Sequence, residues 1–136
     1  MKELSPKAIA LGVVVDIVGS ILLGLIGSMI MFARLSARGL SRDAIMAQLS
    51  TVGNNTLYTA FVVIVGFGMT AVGGYVAAWV ARHNHLLNAA FVGGAAVVLG
   101  LFLDVGGPQW YRVMALLLPI PSAALGGYVY LRVRSL

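Results

Sequence analysis

Cysteine is absent from the 136 residues. That excludes disulfides, thiol chemistry, iron–sulfur clusters and cysteine zinc sites. Charge is scarce: Asp, Glu, Lys and Arg make up 10% of the chain, and only four of these residues are acidic. A soluble domain carries roughly a quarter charged residues, so a water-soluble monomer is excluded. Disordered, collagen-like and disulfide-rich classes go with it. Catalytic signatures are also missing. There is no phosphate-cradling glycine loop with Lys, no zinc-protease His pair, no nucleophile elbow, and no Ser–His–acid set at one depth. The two histidines, His83 and His85, flank Asn84 outside the apolar runs. They cannot serve as haem ligands within a span, and a metal held there would need further ligands. The chain reads as not an enzyme, with no cofactor and no metal.

What is present is apolar. Hydrophobic residues make up 60% of the chain, and the mean hydropathy is +0.99. A bilayer-spanning helix needs roughly 20 apolar residues. Four such runs stand at about 8–32, 56–81, 86–105 and 110–131. They predict an all-α integral membrane protein, a compact four-helix transmembrane bundle forming one domain over residues 1–136. The first run resembles a signal sequence after Lys2 and Lys7. It is too long, contains Asp16, and ends at Phe32-Ala33-Arg34 without a small-residue cleavage site, so it is read as a retained anchor. Arg82 to His85 form one tight turn and Gly106-Gly107-Pro108 another. Trp79, Trp110, Tyr111, Tyr128 and Tyr130 lie near run ends, as interfacial aromatic belts do.

The longer connection holds a short amphipathic helix over about 42–52, lying at the interface. Ser41 caps it, Asp43 is in its first turn, Ile45, Met46, Leu49 and Val52 share a face, and Gly53 ends it. Arg34, Arg38 and Arg42 recur every four residues past the first span, as a lipid-phosphate anchor or a contact for an acidic partner. The net charge of +5 is therefore read as meeting a lipid bilayer and no nucleic acid. Lys2, Lys7, Arg82, Arg132 and Arg134 fall on one side. Arg34, Arg38, Arg42 and Arg112 fall on the other. The positive-inside rule then favours both termini on the cytoplasmic side of a bacterial or archaeal cell membrane, the cell inner membrane.

Two segments repeat. Ala71-Val72-Gly73-Gly74-Tyr75-Val76 returns as Ala124-Leu125-Gly126-Gly127-Tyr128-Val129, and Val18-Gly19-Ser20 is echoed by Val92-Gly93-Gly94. Spans one and two would then match spans three and four as a parallel repeat. The 17 glycines suit close helix approach in lipid, where little hydrophobic drive exists between helices. Gly12, Asp16, Ser20, Gly24 and Ser28 recur every four residues on the first span. Gly73, Gly74, Gly93, Gly94, Gly126 and Gly127 supply small faces on the others. Packing through them predicts a homo-oligomer or docking on a partner membrane protein, and Gly24→Leu is expected to disrupt it. Pro119 and Pro121 predict a helix break in the fourth span.

Asp16 is the carboxylate within the first span. A charged Asp at that depth costs roughly 2.5–3.5 kcal/mol on insertion scales. Counting inward from the run ends places Gly73, Gly94 and Ala123 at its depth, with Ser20, Thr70 and Ser122 as candidate polar partners. Two readings follow. The helices seal around a hydrogen-bonded Asp16, or they leave a polar cavity that makes the chain a small proton- or cation-coupled transporter or channel. Asp104 and Arg112 are placed to form an ion pair across the second hairpin.

Overall fold

The computed structural model describes residues 4–51, 56–102 and 109–136, all side chains included except those of 56–58. Among the described residues there are six helices and no strand: α1 Pro6–Ala37, α2 Arg42–Thr51, α3 Thr56–Val80, α4 His85–Phe102, α5 Gln109–Leu117 and α6 Pro119–Arg134. Three helices, α1, α3 and α4, are long and apolar enough to cross a membrane. The pair α5 and α6, bent by 42°, makes a fourth if counted as one span. Val52, Gly53, the Gly106-Gly107-Pro108 turn and Asp104 lie outside the described residues.

Local chemistry sets the ends. Ser5 caps α1 with its hydroxyl toward the Ala8 N–H, and Pro6 follows where no N–H is needed. The helix continues past the apolar run to Ala37. Polar side chains stop favourable burial in lipid but do not stop a helix, and Gly39, at φ 77°, ends it. Asn84, at φ 51°, reverses the chain between α3 and α4, a backbone region that Asn tolerates. Leu118 separates α5 from α6. The rings of Pro119 and Pro121 have no N–H for the carbonyls of Ala115 and Leu117, so the ladder cannot run through.

Residue pairs fix the topology. Gly12 meets Gly73 and Ala77, Gly19 meets Met69, and Gly27 approaches Phe61, so α1 and α3 are antiparallel. Gly93 against Pro119 and Ile120, with Gly127 against Ala89 and Leu86, makes α4 and α6 antiparallel as well. Gly12 touches Val92 and the Ser5 N–H donates to Asn88 Oδ1 at 2.9 Å, so α1 and α4 run the same way. The first and last described residues, Leu4 and Leu136, therefore sit at one end. The most extensive contact is between α3 and α6, which carry the two copies of the Gly-Gly-Tyr motif. An added Cβ on Gly126 would overlap the Ala71 carbonyl, and one on Gly74 would overlap the Ala123 backbone. Near the terminal end, the Tyr75 and Tyr130 rings meet edge to face at 5.6 Å.

Most of the close packing is at that terminal end. Ala8, Gly12, Gly73, Gly74, Ala77, Ala78, Ala89, Val92, Ala123, Gly126 and Gly127 are buried there. A smaller buried group of Leu35, Ile45 and Thr59 lies at the other. Toward the other end, large apolar side chains such as Ile21, Met29, Ile64 and Leu101 are exposed. Asn88, fully buried, ties the terminal end together. Its Nδ2 donates to the carbonyls of His83 and Asn84, each at 3.0 Å, while its Oδ1 takes the Ser5 N–H. Asn88→Ala removes the side-chain partner of the Ser5 N–H and of the His83 carbonyl, while the Asn84 carbonyl keeps the Asn88 backbone N–H. It should lower stability by about 1–3 kcal/mol, read as a drop in the thermal midpoint in detergent. Asn88→Asp keeps the acceptor for Ser5 but turns a carboxyl oxygen toward the His83 and Asn84 carbonyls in a fully buried site and should destabilise at least as much; an Ala variant as stable as the parent would refute this role.

Within the chain, two stretches expected to pack do not. The stripe on α1 closes against no other helix of the chain at Gly24 and Ser28. Nothing lies within 4 Å of an added Cβ on Gly24, and the exposed Ser28 hydroxyl donates to its own helix at the Gly24 carbonyl, 2.9 Å away. At 3.6 residues per turn each four-residue step overshoots by about 40°, so Gly24 faces roughly 120° away from Gly12. Gly94 is likewise open, while its neighbour Gly93 meets the Pro119 and Ile120 backbone. Adjacent helical residues point about 100° apart, and only one of the two can face α6.

Candidate functional site

Asp16 lies on α1 where the tight end gives way to the looser one. One turn toward the terminus, Gly12 presses on α3: an added Cβ there would come 2.6 Å from the Gly73 carbonyl oxygen. Gly73 in turn is close to the Asp16 Cβ. On the other side of Asp16 the helices part. A cavity of about 340 Å³ is lined by Asp16, Ser20 and Ile21 of α1, Val62, Gly66, Phe67 and Thr70 of α3, Ala96, Leu99 and Gly100 of α4, and Tyr111 and Ala115 of α5. Its lining holds one carboxyl group and no Lys or Arg. Most of the wall is apolar, and the polar groups gather at the Asp16 end and at Tyr111.

Asp16 is 7% exposed and Thr70 5% exposed. The Thr70 hydroxyl oxygen lies 3.2 and 3.1 Å from the two Asp16 carboxyl oxygens, and 3.0 Å from the Gly66 carbonyl oxygen of its own helix. The Ser20 hydroxyl reaches Asp16 Oδ1 at 3.5 Å. Thr70 has one proton for two possible acceptors, and that count fixes two arrangements. With an ionised Asp16, Thr70 and Ser20 donate to the carboxylate. With a protonated Asp16, its O–H donates to Thr70 and Thr70 donates to the Gly66 carbonyl, a back-bond common for Thr in helices. The same heavy-atom positions serve both states. The site can gain or lose a proton by turning one hydroxyl, with no helix movement.

Of the sequence candidates, Asp16, Ser20 and Thr70 come together. Ser122 is not in the cavity lining; its neighbour Ala123 is buried against Gly74 instead. Depth along a helix does not fix direction around it, and the two residues of α6 at that depth point apart. Gly73 packs directly on α1, whereas Gly24 and Gly66 contribute space. A smaller cavity of about 90 Å³ runs between α1 and α3, lined by Ser20, Gly24, Gly27, Phe61 and Gly66. Glycine here keeps a path open rather than closing a contact. Phe67 and Tyr111 belong to the site but are not marked as such in the sequence, whereas the break at Pro119 is the one the prolines predict. Tyr111 reads as an interfacial aromatic, and no periodicity brings it within reach of Asp16, 95 residues earlier. Pro119 leaves the Ala115 carbonyl without its helical donor, and both residues line the cavity. His85, half-buried, has its Nδ1 2.7 Å from the Ala78 carbonyl oxygen and its ring 5.6 Å from that of Tyr130.

Comparison with protein-family models, with curated proteins and with solved structures finds no match to this chain.

Proposed function

We propose that the chain is a small integral membrane protein of four spans, α5 and α6 sharing the fourth, that works as a proton- or cation-coupled transporter or channel with Asp16 as its coupling group. The observation that carries this reading is the two-acceptor geometry of Thr70 at the closed end of the cavity. Intramembrane carboxyl groups are costly and by default mark ion or proton pathways. This one has a cavity on one side, a glycine seal on the other, and hydrogen bonds for both protonation states. The cavity is an open cleft between helices, with exposed Ile21 and Leu99 on its rim, so a small ion or water can reach Asp16 from its mouth. Both termini are placed in the cytoplasm, which puts the cavity toward the outer half of the membrane. Self-association or docking on a partner protein is the other reading of the glycines. The glycines that make close contacts make them within the chain, so a second copy would have to use other surfaces. No part of this reading assigns catalysis to the chain.

Purified protein in liposomes should carry proton or monovalent-cation flux, measured with an entrapped pH-sensitive dye under an imposed gradient. Water must also reach the site. The chain has no cysteine, so single thiols report cleanly. Gly66→Cys, at an open position lining the cavity, should react with a membrane-impermeant thiol reagent from one side only. Ala77→Cys, fully buried in the seal, should stay unreactive. Liposomes no leakier than protein-free ones, together with an unreactive Gly66→Cys, would overturn the proposal.

A further inference from the structure

At the end of the molecule opposite the termini, a second groove of about 420 Å³ lies along α1, lined by Gly27, Ile30, Met31, Arg34, Leu35, Arg38 and Phe61. Its lining holds two guanidinium groups and no carboxylate. Arg34 and Arg38 are one turn apart, on the same face of α1, and both are exposed. Below them the wall is apolar. Phe61 closes the far end, its ring 3.4 Å from an added Cβ on Gly27. From Arg38 back to Gly27 is eleven residues, about 16 Å of helix. That is close to half of a ~30 Å hydrocarbon core.

We infer that this groove is a binding site for one anionic phospholipid. Its phosphate sits between Arg34 and Arg38, and an acyl chain runs along Ile30 and Met31 to Phe61. Two features of the groove select this occupant. Guanidinium forks hold phosphate oxygens in paired hydrogen bonds, and the apolar wall below them has the length of one leaflet. A free anion would use the arginines and leave the wall uncovered. A zwitterionic lipid would fill the wall and bring its own ammonium to the arginines. The groove shares Gly27 and Phe61 with the narrower cavity leading back to Ser20 and Gly66. A phosphate there neutralises the two positive charges that a cation moving along the α1–α3 face would meet. The inference rests on α1 crossing the bilayer and not on the role of Asp16.

The test uses the full chain in a neutral detergent, with phosphatidylglycerol and phosphatidylcholine of identical acyl chains as probes, read by native mass spectrometry and by the shift in thermal midpoint. Phosphatidylglycerol should be retained as one molecule per chain and raise the midpoint; phosphatidylcholine should do neither. Arg34→Gln with Arg38→Gln should weaken phosphatidylglycerol binding roughly thirtyfold, taking about 1 kcal/mol for each arginine at a lipid surface. Ile30→Trp, at an exposed position, fills the groove with both charges intact and should also weaken it. Millimolar inorganic phosphate should not compete. Equal binding of the two lipids would overturn the inference. So would an equal loss in Arg132→Gln with Arg134→Gln at the other end, or displacement by phosphate with Ile30→Trp silent, which marks a free-anion site. Resistance of the wild-type protein to carbonate extraction checks membrane insertion separately, so failure of the lipid site and failure of the spanning reading give different results.

Discussion

Asp16→Asn should abolish coupled flux in proteoliposomes while leaving the protein folded. The amide is nearly isosteric with the carboxyl, still accepts from Thr70 and Ser20, and brings a donor of its own. It cannot take up or release a proton. The hydrogen bonds around residue 16 therefore survive and the titration does not. Asp16→Leu separates this from a structural role. Leu loses hydrogen bonds worth about 0.6 kcal/mol each in membrane proteins, up to about 1.7. It also removes the roughly 2.5–3.5 kcal/mol of placing a carboxylate in the bilayer. The Leu variant should thus be as stable as the parent or more so, and equally inactive. If the Asn variant transports normally, Asp16 is not the coupling group. If Leu unfolds the protein while Asn transports, Asp16 is a packing element and nothing more.

The second large effect is on stability, and its sign reverses between glycines. Gly126→Ala should destabilise the bundle severely, because the new methyl would overlap the Ala71 carbonyl and come 2.9 Å from the Tyr75 nitrogen. These are backbone atoms of α3 and cannot rotate away, so α3 and α6 must separate along their most extensive contact. Overpacking costs typically 1–3 kcal/mol, occasionally more, and the rigid neighbours put Gly126 at the upper end. Gly24→Ala meets nothing and gains about 1 kcal/mol of helix propensity. It should be neutral or stabilising. Thermal unfolding of the two variants side by side in one detergent decides the matter. A Gly126→Ala protein as stable as Gly24→Ala would refute the close α3–α6 contact.

The comparison between glycines also shows how far the sequence could be read. Hydropathy located the helices well: the second run, 56–81, became Thr56–Val80 and the third began at His85 instead of Leu86. Apolarity is a property of the run itself, so local composition suffices to locate these helices. Which small residues face a neighbour is not local. Gly24 and Gly126 look alike in sequence, and only the direction of each around its helix separates them. The site was half legible for the same reason. Depth and residue type pointed to Asp16, Ser20 and Thr70, because polar groups in a membrane core need each other. They pointed equally to Ser122, which turns elsewhere. Tyr111 and Ala115 arrive through the 42° bend; the prolines mark where the helix breaks, but no local pattern gives the direction in which α5 leaves.

The seal built from Gly12, Gly73, Gly74 and Gly126 has a thermodynamic consequence. These contacts bring backbone against backbone, and in the bilayer-spanning arrangement proposed above, opening them would bring the freed faces against acyl chains instead of water. The heat-capacity change of unfolding arises from hydrating newly exposed apolar surface. Here that hydration is nearly absent, so the enthalpy of helix separation should change little with temperature. The free-energy curve then loses its dome and becomes close to a straight line. A bundle held this way has no temperature of maximum stability in the working range and no cold denaturation to approach.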